Sequence, residues 1–436
     1  MLKNRSDVPT ITIHRSLFKA LKMFNSERFR WLDDAAAAGP LTRLKLGPVA
    51  AYIVSDPAVA RRMLVADANL WRRPPAAVIP IRLPIGDNLF TQSEKAWSMF
   101  QPEVAPQFRK RAMESRLADM PSIVDEEVRA IPYDTAIDLE LTMGRIALVL
   151  AAWVLLGERL DSVRAEELAL HQREVVTWVG HRMSRLRGLV PFAPRSREMK
   201  AHANELKAYA ADVLKRRAAL GATAGGNDAV EHDVLDALMH AKPGGRALDA
   251  DTLNGHLLGL LLAGNETTAA ALSWALVQGS RTPELWDDLT NNIREHTNAF
   301  IDETMRLSPA VWGFARTPKK RAAISVGDVS VQLRWGEIAT IYLRGINHDP
   351  TVWPEPLVFR PARQLQRTKE QERASIGFGL GHRGCIGQHM AIAEMQLVLP
   401  KLAQHGRIEI TQAVEEDPSF ALRARGGMFG TFRRRS

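Results

Sequence analysis

Two strand-like runs, Leu41 to Leu46 and Val49 to Ile53, flank Gly47-Pro48, a pair that predicts the turn of a hairpin. Asp56-Pro57 follows with the cap-then-proline order of a helix start. From about residue 93 to 220 the apolar residues return every three or four positions, the period of a helix face. Breaks fall at Ile131-Pro132-Tyr133 and at Val190-Pro191-Phe192-Ala193-Pro194. The Ala-Thr-Ala-Gly-Gly-Asn stretch at 222 to 227 and Pro243-Gly244-Gly245 predict loops. A long helix is expected from near Asp249 to about Gln278, Leu-rich and polar only around residues 264 to 268, long enough to cross the whole molecule. Short strands alternating with turns are expected between Ala323 and Tyr342 and again between Ile408 and Phe432. The pattern is mainly α with minor β. It shows no internal repeat and no Pro/Gly/Ser linker, and so predicts a single domain over residues 1 to 436.

The two most apolar stretches, Ile146 to Leu156 and Leu257 to Ala263, fall short of the roughly 20 residues a membrane span needs and are expected as buried helices. Residues 1 to 30 sustain no apolar run and carry many Lys and Arg, so neither a signal peptide nor a transmembrane anchor is expected. The basic segment from His14 to Phe24 reads as a packed first helix rather than a membrane-surface one.

Composition adds little to this until charge is considered. Hydrophobic residues at 46% and charged residues at 25% are ordinary for a globular chain and exclude disordered or collagen-like classes. The net charge of +9 is scattered, densest at Arg109-Lys110-Arg111 and Arg433-Arg434-Arg435. Nucleic-acid binding would need a basic stripe interleaved with aromatics, so a solvated face or the docking of an acidic protein partner is expected instead. A lone cysteine, Cys385, permits no intramolecular disulfide and suits a reducing, cytoplasmic setting.

That cysteine carries the strongest chemical signal. It sits in Phe378-Gly379-Leu380-Gly381-His382-Arg383-Gly384-Cys385-Ile386-Gly387, where four glycines let the backbone pass close to a flat ligand. A helix expected to begin near Ile386 would present amide donors and its positive end to the sulfur, favouring the thiolate that ligates metal. Thiolate ligation pushes electron density onto haem iron and promotes O–O cleavage.

The segment resembles the signature of the cytochrome P450 family, matched by Phe378, Gly379, Gly381, Arg383, Cys385 and Gly387 and continued by Ala391 and Glu394. The resemblance spans roughly residues 41 to 432. It implies the triangular, mostly helical haem-thiolate fold with haem b (iron protoporphyrin IX) on Cys385, the metal ligand. On this resemblance Phe378 shields the iron–sulfur bond, Gly379, Gly387 and Gly264 allow close approach to the cofactor, and Arg383 pairs with a propionate. Ala263-Gly264-Asn265-Glu266-Thr267-Thr268 in the long helix is then the oxygen-activation site. Thr267 orders oxygen and water there, Glu266 relays protons, and Thr268 is structural. Arg316 and Trp97 match two further propionate positions. Gln101 departs from the pattern, since the family usually carries a basic residue there and a neutral amide removes one ionic contact. Pro106 and Phe108 keep the register of that helix.

Glu303-Thr304-Met305-Arg306 places an acid and a base three apart, within pairing distance on one helix face. The later Phe359-Arg360-Pro361-Ala362-Arg363 resembles the family segment that adds another arginine, so Glu303, Arg306 and Arg363 are expected as a buried structural network. The implied activity is a monooxygenase that activates O2 to oxidise an apolar small molecule such as a lipid, terpenoid or polyketide-like compound. The chain leaves no room for a flavin or nicotinamide domain, so electrons are expected from a ferredoxin or flavodoxin with its NAD(P)H reductase. The substrate walls are expected from the loop Ala76 to Leu89, the Leu186 to Pro194 connection, Ala263 to Thr267, Pro309 to Phe314 and the turn around Met428. Alternative readings are a peroxide-driven peroxygenase, a haem-thiolate isomerase, or a haem-based sensor.

Overall fold

A computed structural model describes residues 7–184, 196–223 and 233–435. The hairpin forms as its turn residues predict. Leu41–Leu46 and Val49–Val54 pair antiparallel with Leu44 opposite Ala51. Gly47 takes a φ of +61°, and a Cβ there would lie 2.7 Å from the Leu17 backbone nitrogen, so the turn needs glycine for two reasons. The sheet grows on both sides of this hairpin into six strands, in the order Thr10–His14, Leu41–Leu46, Val49–Val54, Ile338–Tyr342, Gly313–Pro318 and Trp71–Arg72. The first strand pairs parallel with Leu41–Leu46, Ile11 lying opposite Leu44. Its alternation of Thr and Ile was a legible signal that the sequence reading did not use.

The helical layer is organised by two members. Ala250–Arg281 is opened by Asp249, whose carboxylate accepts the Thr252 N–H at 2.7 Å. It packs along Leu139–Leu156, opened in the same way by Asp138 accepting from Leu141 N at 3.0 Å. Both are long and apolar enough to cross a membrane, and both are mostly buried inside the fold. A helix apolar all round is what the centre of a large helical core requires. Gln388–His405, the helix that follows Cys385, packs against Lys110–Arg129, Arg294–Leu307 and the long helix. The architecture is mainly α with minor β, as expected.

One expected loop is a helix. Pro75–Ile85 is helical although Pro80 and Pro84 lie inside it and each forfeits a backbone hydrogen bond. Pro75 at the first turn suits a helix start, and burial of Ile81 and Ile85 outweighs the local breakers. The expected breaks at Val190 to Pro194 and most of 222 to 227 lie outside the described residues.

Candidate functional site

The loop before the cysteine is closed by its own backbone. Cys385 N donates to Phe378 O at 2.7 Å, Gly384 N to Gly381 O at 3.0 Å and Gly379 N to Ile376 O at 2.9 Å. Gly381 has a φ of +69°, and a Cβ on it would sit 2.5 Å from Leu64 O, so this turn seats the loop against the segment Arg62–Ala66. Phe378 is half-buried in the same loop. The following helix begins at Gln388, two residues beyond Ile386, with Gly387 at its cap. The sulfur consequently receives a single amide, from Gly387, and burial dominates, pushing the Cys385 thiol up rather than down. A metal ion would supply what the helix end does not, because a coordinating thiol is deprotonated outright.

Cys385 keeps accessible surface although protein surrounds it. So does one face of the long helix. Ala263 is exposed between buried Leu262 and buried Asn265, and Gly259 and Thr267, each four residues away from it, are half-buried. Gly259, Ala263 and Thr267 form one stripe, the i, i+4, i+8 face of the helix, open at Ala263 and Thr267 and closed at Gly259, where a Cβ would lie 2.8 Å from Asn88 Cβ. The Thr267 hydroxyl donates to Ala263 O at 3.0 Å. Gly264 lies beside this stripe, where a Cβ would meet Met390, Ala151 and Leu155 at 3.6 to 3.7 Å. These are ordinary van der Waals contacts, so packing on the neighbouring helix does not by itself require glycine there.

Glu266 is buried beside this stripe. Its Oε1 accepts both Nε and Nη2 of Arg423, at 2.8 and 2.6 Å, and the pair is buried. With Glu140, Arg173 and Asn265 the pair lines a cavity of about 30 Å3, room for roughly one water. Arg423 escaped the sequence reading, although an arginine set between Leu422 and Ala424 was a signal of a buried partner. Thr268 faces Glu394, which is fully buried without an aligned hydrogen bond to either carboxyl oxygen. Burial pushes the Glu394 carboxyl up to about 8 against the opposing effect of Thr268.

A third group gathers at one edge. The Arg383 guanidinium lies 4.1 Å over the Trp97 ring and donates to Glu94 Oε1 at 2.9 Å. His382 Nε2 is 3.3 Å from Glu94 Oε2. Burial works against ionisation of Glu94, yet Arg383 and His382 hold its carboxyl below the usual range. Arg316, whose Nη1 donates to its neighbour's carbonyl Ala315 O at 3.0 Å, and Arg73, absent from the sequence reading, feel the same carboxylate. Burial pushes Arg316 down to about 10, with Glu94 opposing and Arg383 adding to the fall. Three guanidinium groups thus share one carboxylate. A cleft of about 480 Å3 lined by Val65, Asn69, Glu94, Trp97, Lys319 and His382 opens beside them.

Phe90 meets Phe420 edge-on with centroids 6.3 Å apart. Phe420 belongs to the tip of the Glu416–Pro418 and Leu422–Ala424 hairpin. That tip is tied down where Leu422 N donates to Ala310 O at 2.9 Å and the Trp312 indole to Ser419 O at 2.9 Å. The expected wall at Met428 is corrected: Met428 is fully buried in the main core and its carbonyl accepts from Leu139 N at 2.8 Å, so its side chain packs the core instead of lining an open face. The expected Leu186 to Pro194 wall lies outside the described residues.

The cytochrome P450 family profile matches residues 11–429. The chain belongs to the cytochrome P450 family. It is 24% identical over 79% of its length to cytochrome P450 4ae1 of Drosophila melanogaster, covering 76% of that protein. It is 25% identical to putative cytochrome P450 132 of Mycobacterium bovis, with 82% of each chain covered. A shorter match, 32% identical over 37% of this chain and 35% of the other, is to the human mitochondrial 25-hydroxyvitamin D-1 alpha hydroxylase. The P450 family binds haem b and its members are monooxygenases that need redox partners and O2. The residues present fit that cofactor on physical grounds. One accessible cysteine receives an amide, the long helix leaves Ala263 and Thr267 open, and three guanidinium groups exceed their carboxylate by two charges, the charge of two propionates.

Proposed function

We propose that this P450 oxidises an apolar small molecule seated on the Ala263–Thr267 face, with electrons delivered by a separate ferredoxin or flavodoxin and its NAD(P)H reductase. The observation that carries the reading is the open Ala263 and Thr267 face of a helix otherwise lined by buried Leu and Ala, which offers apolar surface and few fixed polar groups. Haem on the Cys385 sulfur supplies dioxygen activation when bound. Phe378, Gly379 and Gly387 shape the loop around that sulfur, Gly264 borders the cofactor face, and Arg316, Arg383 and Trp97 hold the carboxylate edge.

Thr267 orders oxygen and water by releasing its bond to Ala263 O, a back-bond that serines and threonines make and break within helices. Glu266 Oε1 is held by Arg423, which leaves Oε2 as the oxygen that carries a proton toward Thr267. The exposed Arg109, Lys110 and Arg111 are the contact offered to an acidic electron donor, and a reducing cytoplasmic setting suits the unpaired thiol.

Turnover of candidate substrates, found by the Soret shift they cause, is the test. Product should require the reductase system. Product formed with hydrogen peroxide and never with a reductase would replace the proposal with a peroxygenase. Thr267→Ala should keep its haem and its rate of NAD(P)H consumption within a few-fold while losing most product to peroxide, a drop of about tenfold or more in coupling. Tight coupling in that variant removes Thr267 from the proton path.

A further inference from the structure

The helices Ser162–Ser184 and Ser196–Thr223 pack against one another, and each places a histidine in the seam between them. His171 Nδ1 and His202 Nδ1 lie 2.7 Å apart, with ring centroids separated by 5.0 Å and planes tilted by 53°. Two ring nitrogens at this distance share one proton, so one imidazole donates and the other accepts through its lone pair. Both residues are half-buried, within reach of solvent, and neither makes another hydrogen bond among the described residues.

The charges around the pair favour a cation. Glu205 and Glu167 attract positive charge at His171, whereas Arg164 and the His202 ring repel it. Arg164 and Glu167 are spent on each other, Nη1 to Oε2 at 2.9 Å, which leaves Glu205 as the uncompensated charge. Glu205 is exposed and has no hydrogen bond or ion pair among the described residues. It stands three positions after His202, the spacing that puts the two on one helix face.

Two imidazoles and a carboxylate are the protein share of an open four-coordinate zinc site, with water in the fourth place. Zinc–nitrogen bonds of about 2.0–2.1 Å at a tetrahedral angle set two ligating nitrogens roughly 3.3 Å apart, so the rings need to part by only about half an ångström. Among the described residues no three such groups already converge, so Glu205 is the ligand that turns in.

We propose that His171, His202 and Glu205 bind a divalent transition-metal ion of the zinc type, which links the two helices. Ligation uses the Nδ1 lone pair of each ring, and the proton the pair had shared passes to Nε2 of the ring that carried it, so two neutral imidazoles bind with no net proton released.

Untagged holoprotein, treated with EDTA and dialysed, is titrated calorimetrically with zinc chloride, and the zinc it retains is counted by mass spectrometry. One equivalent should bind, and the melting temperature should rise with zinc concentration because the ion favours the folded helix pair. His171→Gln and His202→Gln keep a polar side chain without the ligating imidazole. Each should lose that equivalent and the zinc-dependent rise while leaving the zinc-free melting temperature nearly unchanged. Glu205→Gln should weaken binding at least about tenfold, since even the outer partners of metal ligands are worth that much. His296→Ala, at an exposed histidine of the helix Arg294–Leu307, should bind as the wild type does. A wild type that takes up no stoichiometric zinc overturns the proposal, and so does uptake that survives both glutamine variants or is unaltered in Glu205→Gln. Zinc-soaked crystals measured at the metal's absorption edge give a readout that needs no variant to fold. An anomalous peak between the two rings supports the site, and peaks only elsewhere defeat it.

Discussion

Around Glu303 two guanidinium groups converge on one carboxylate and nearly every remaining donor finds an acceptor; around Glu94 three converge on one carboxylate and few further acceptors are in reach. Glu303 accepts Arg306 Nε and Nη2 at 2.9 Å, Gln364 Nε2 at 2.6 Å and Arg360 N at 3.0 Å. Arg363 Nε is 3.0 Å away, a charge contact without aligned hydrogen-bond geometry, and its terminal nitrogens go to the carbonyls of Pro354, Glu355 and Val358. Arg306 Nη1 reaches Asn347 O and Pro356 O. This cluster is closed, and what it specifies is the path of the chain from residue 347 to 364. The Glu94 cluster is left open by two positive charges, and an electrostatic imbalance held in place by a rigid fold is the mark of a ligand still to be bound.

The largest effect should come from opening the closed cluster. Glu303→Ala strands two buried guanidinium groups at a cost of about 3–5 kcal/mol, so folded holoprotein should fail to accumulate on expression. A stable, haem-loaded product would mean that the network is not structural. Glu94→Ala should cost much less, on the order of 1 kcal/mol in thermal denaturation of the holoprotein, because the carboxylate is a third exposed and the cofactor's own carboxylates remain. A loss as large as that of Glu303→Ala would erase the contrast between the two clusters.

Glu394 gives a third case, a buried acid with no base at all, and a smaller, pH-shaped effect. Burial raises its carboxyl from 4.5 to about 8, so between these values the folded chain holds a proton that the unfolded chain has released. Stability from this group is therefore full below about pH 4.5 and lost as the pH rises through 8. Urea midpoints of the wild type should fall across that window, and Glu394→Gln should flatten the fall. An unchanged slope in the variant would show that Glu394 ionises with a partner.

Several of these features were legible in the chain because they are local. Gly47-Pro48 turns a hairpin whatever surrounds it, Asp249 caps the helix that follows it, and Glu303 and Arg306 meet because three residues separate them on one helix. The glycines before Cys385 likewise encode their own turn, in which Cys385 N returns to Phe378 O. The helix Pro75–Ile85 was hidden for the converse reason. Its prolines argue locally for a loop, and only burial of Ile81 and Ile85 against the core argues for a helix.

What the sequence determined by itself was the set of periodic elements, their caps and turns, and the cysteine loop, all set by interactions within a few residues. The tertiary structure alone decided that Trp71 pairs with Pro318, that Arg423 takes the Glu266 carboxylate, and that Phe420 meets Phe90. Those pairings join residues more than a hundred positions apart. They follow from sheet register and helix packing, which sum weak contributions over the whole core and leave no mark on any short stretch of chain.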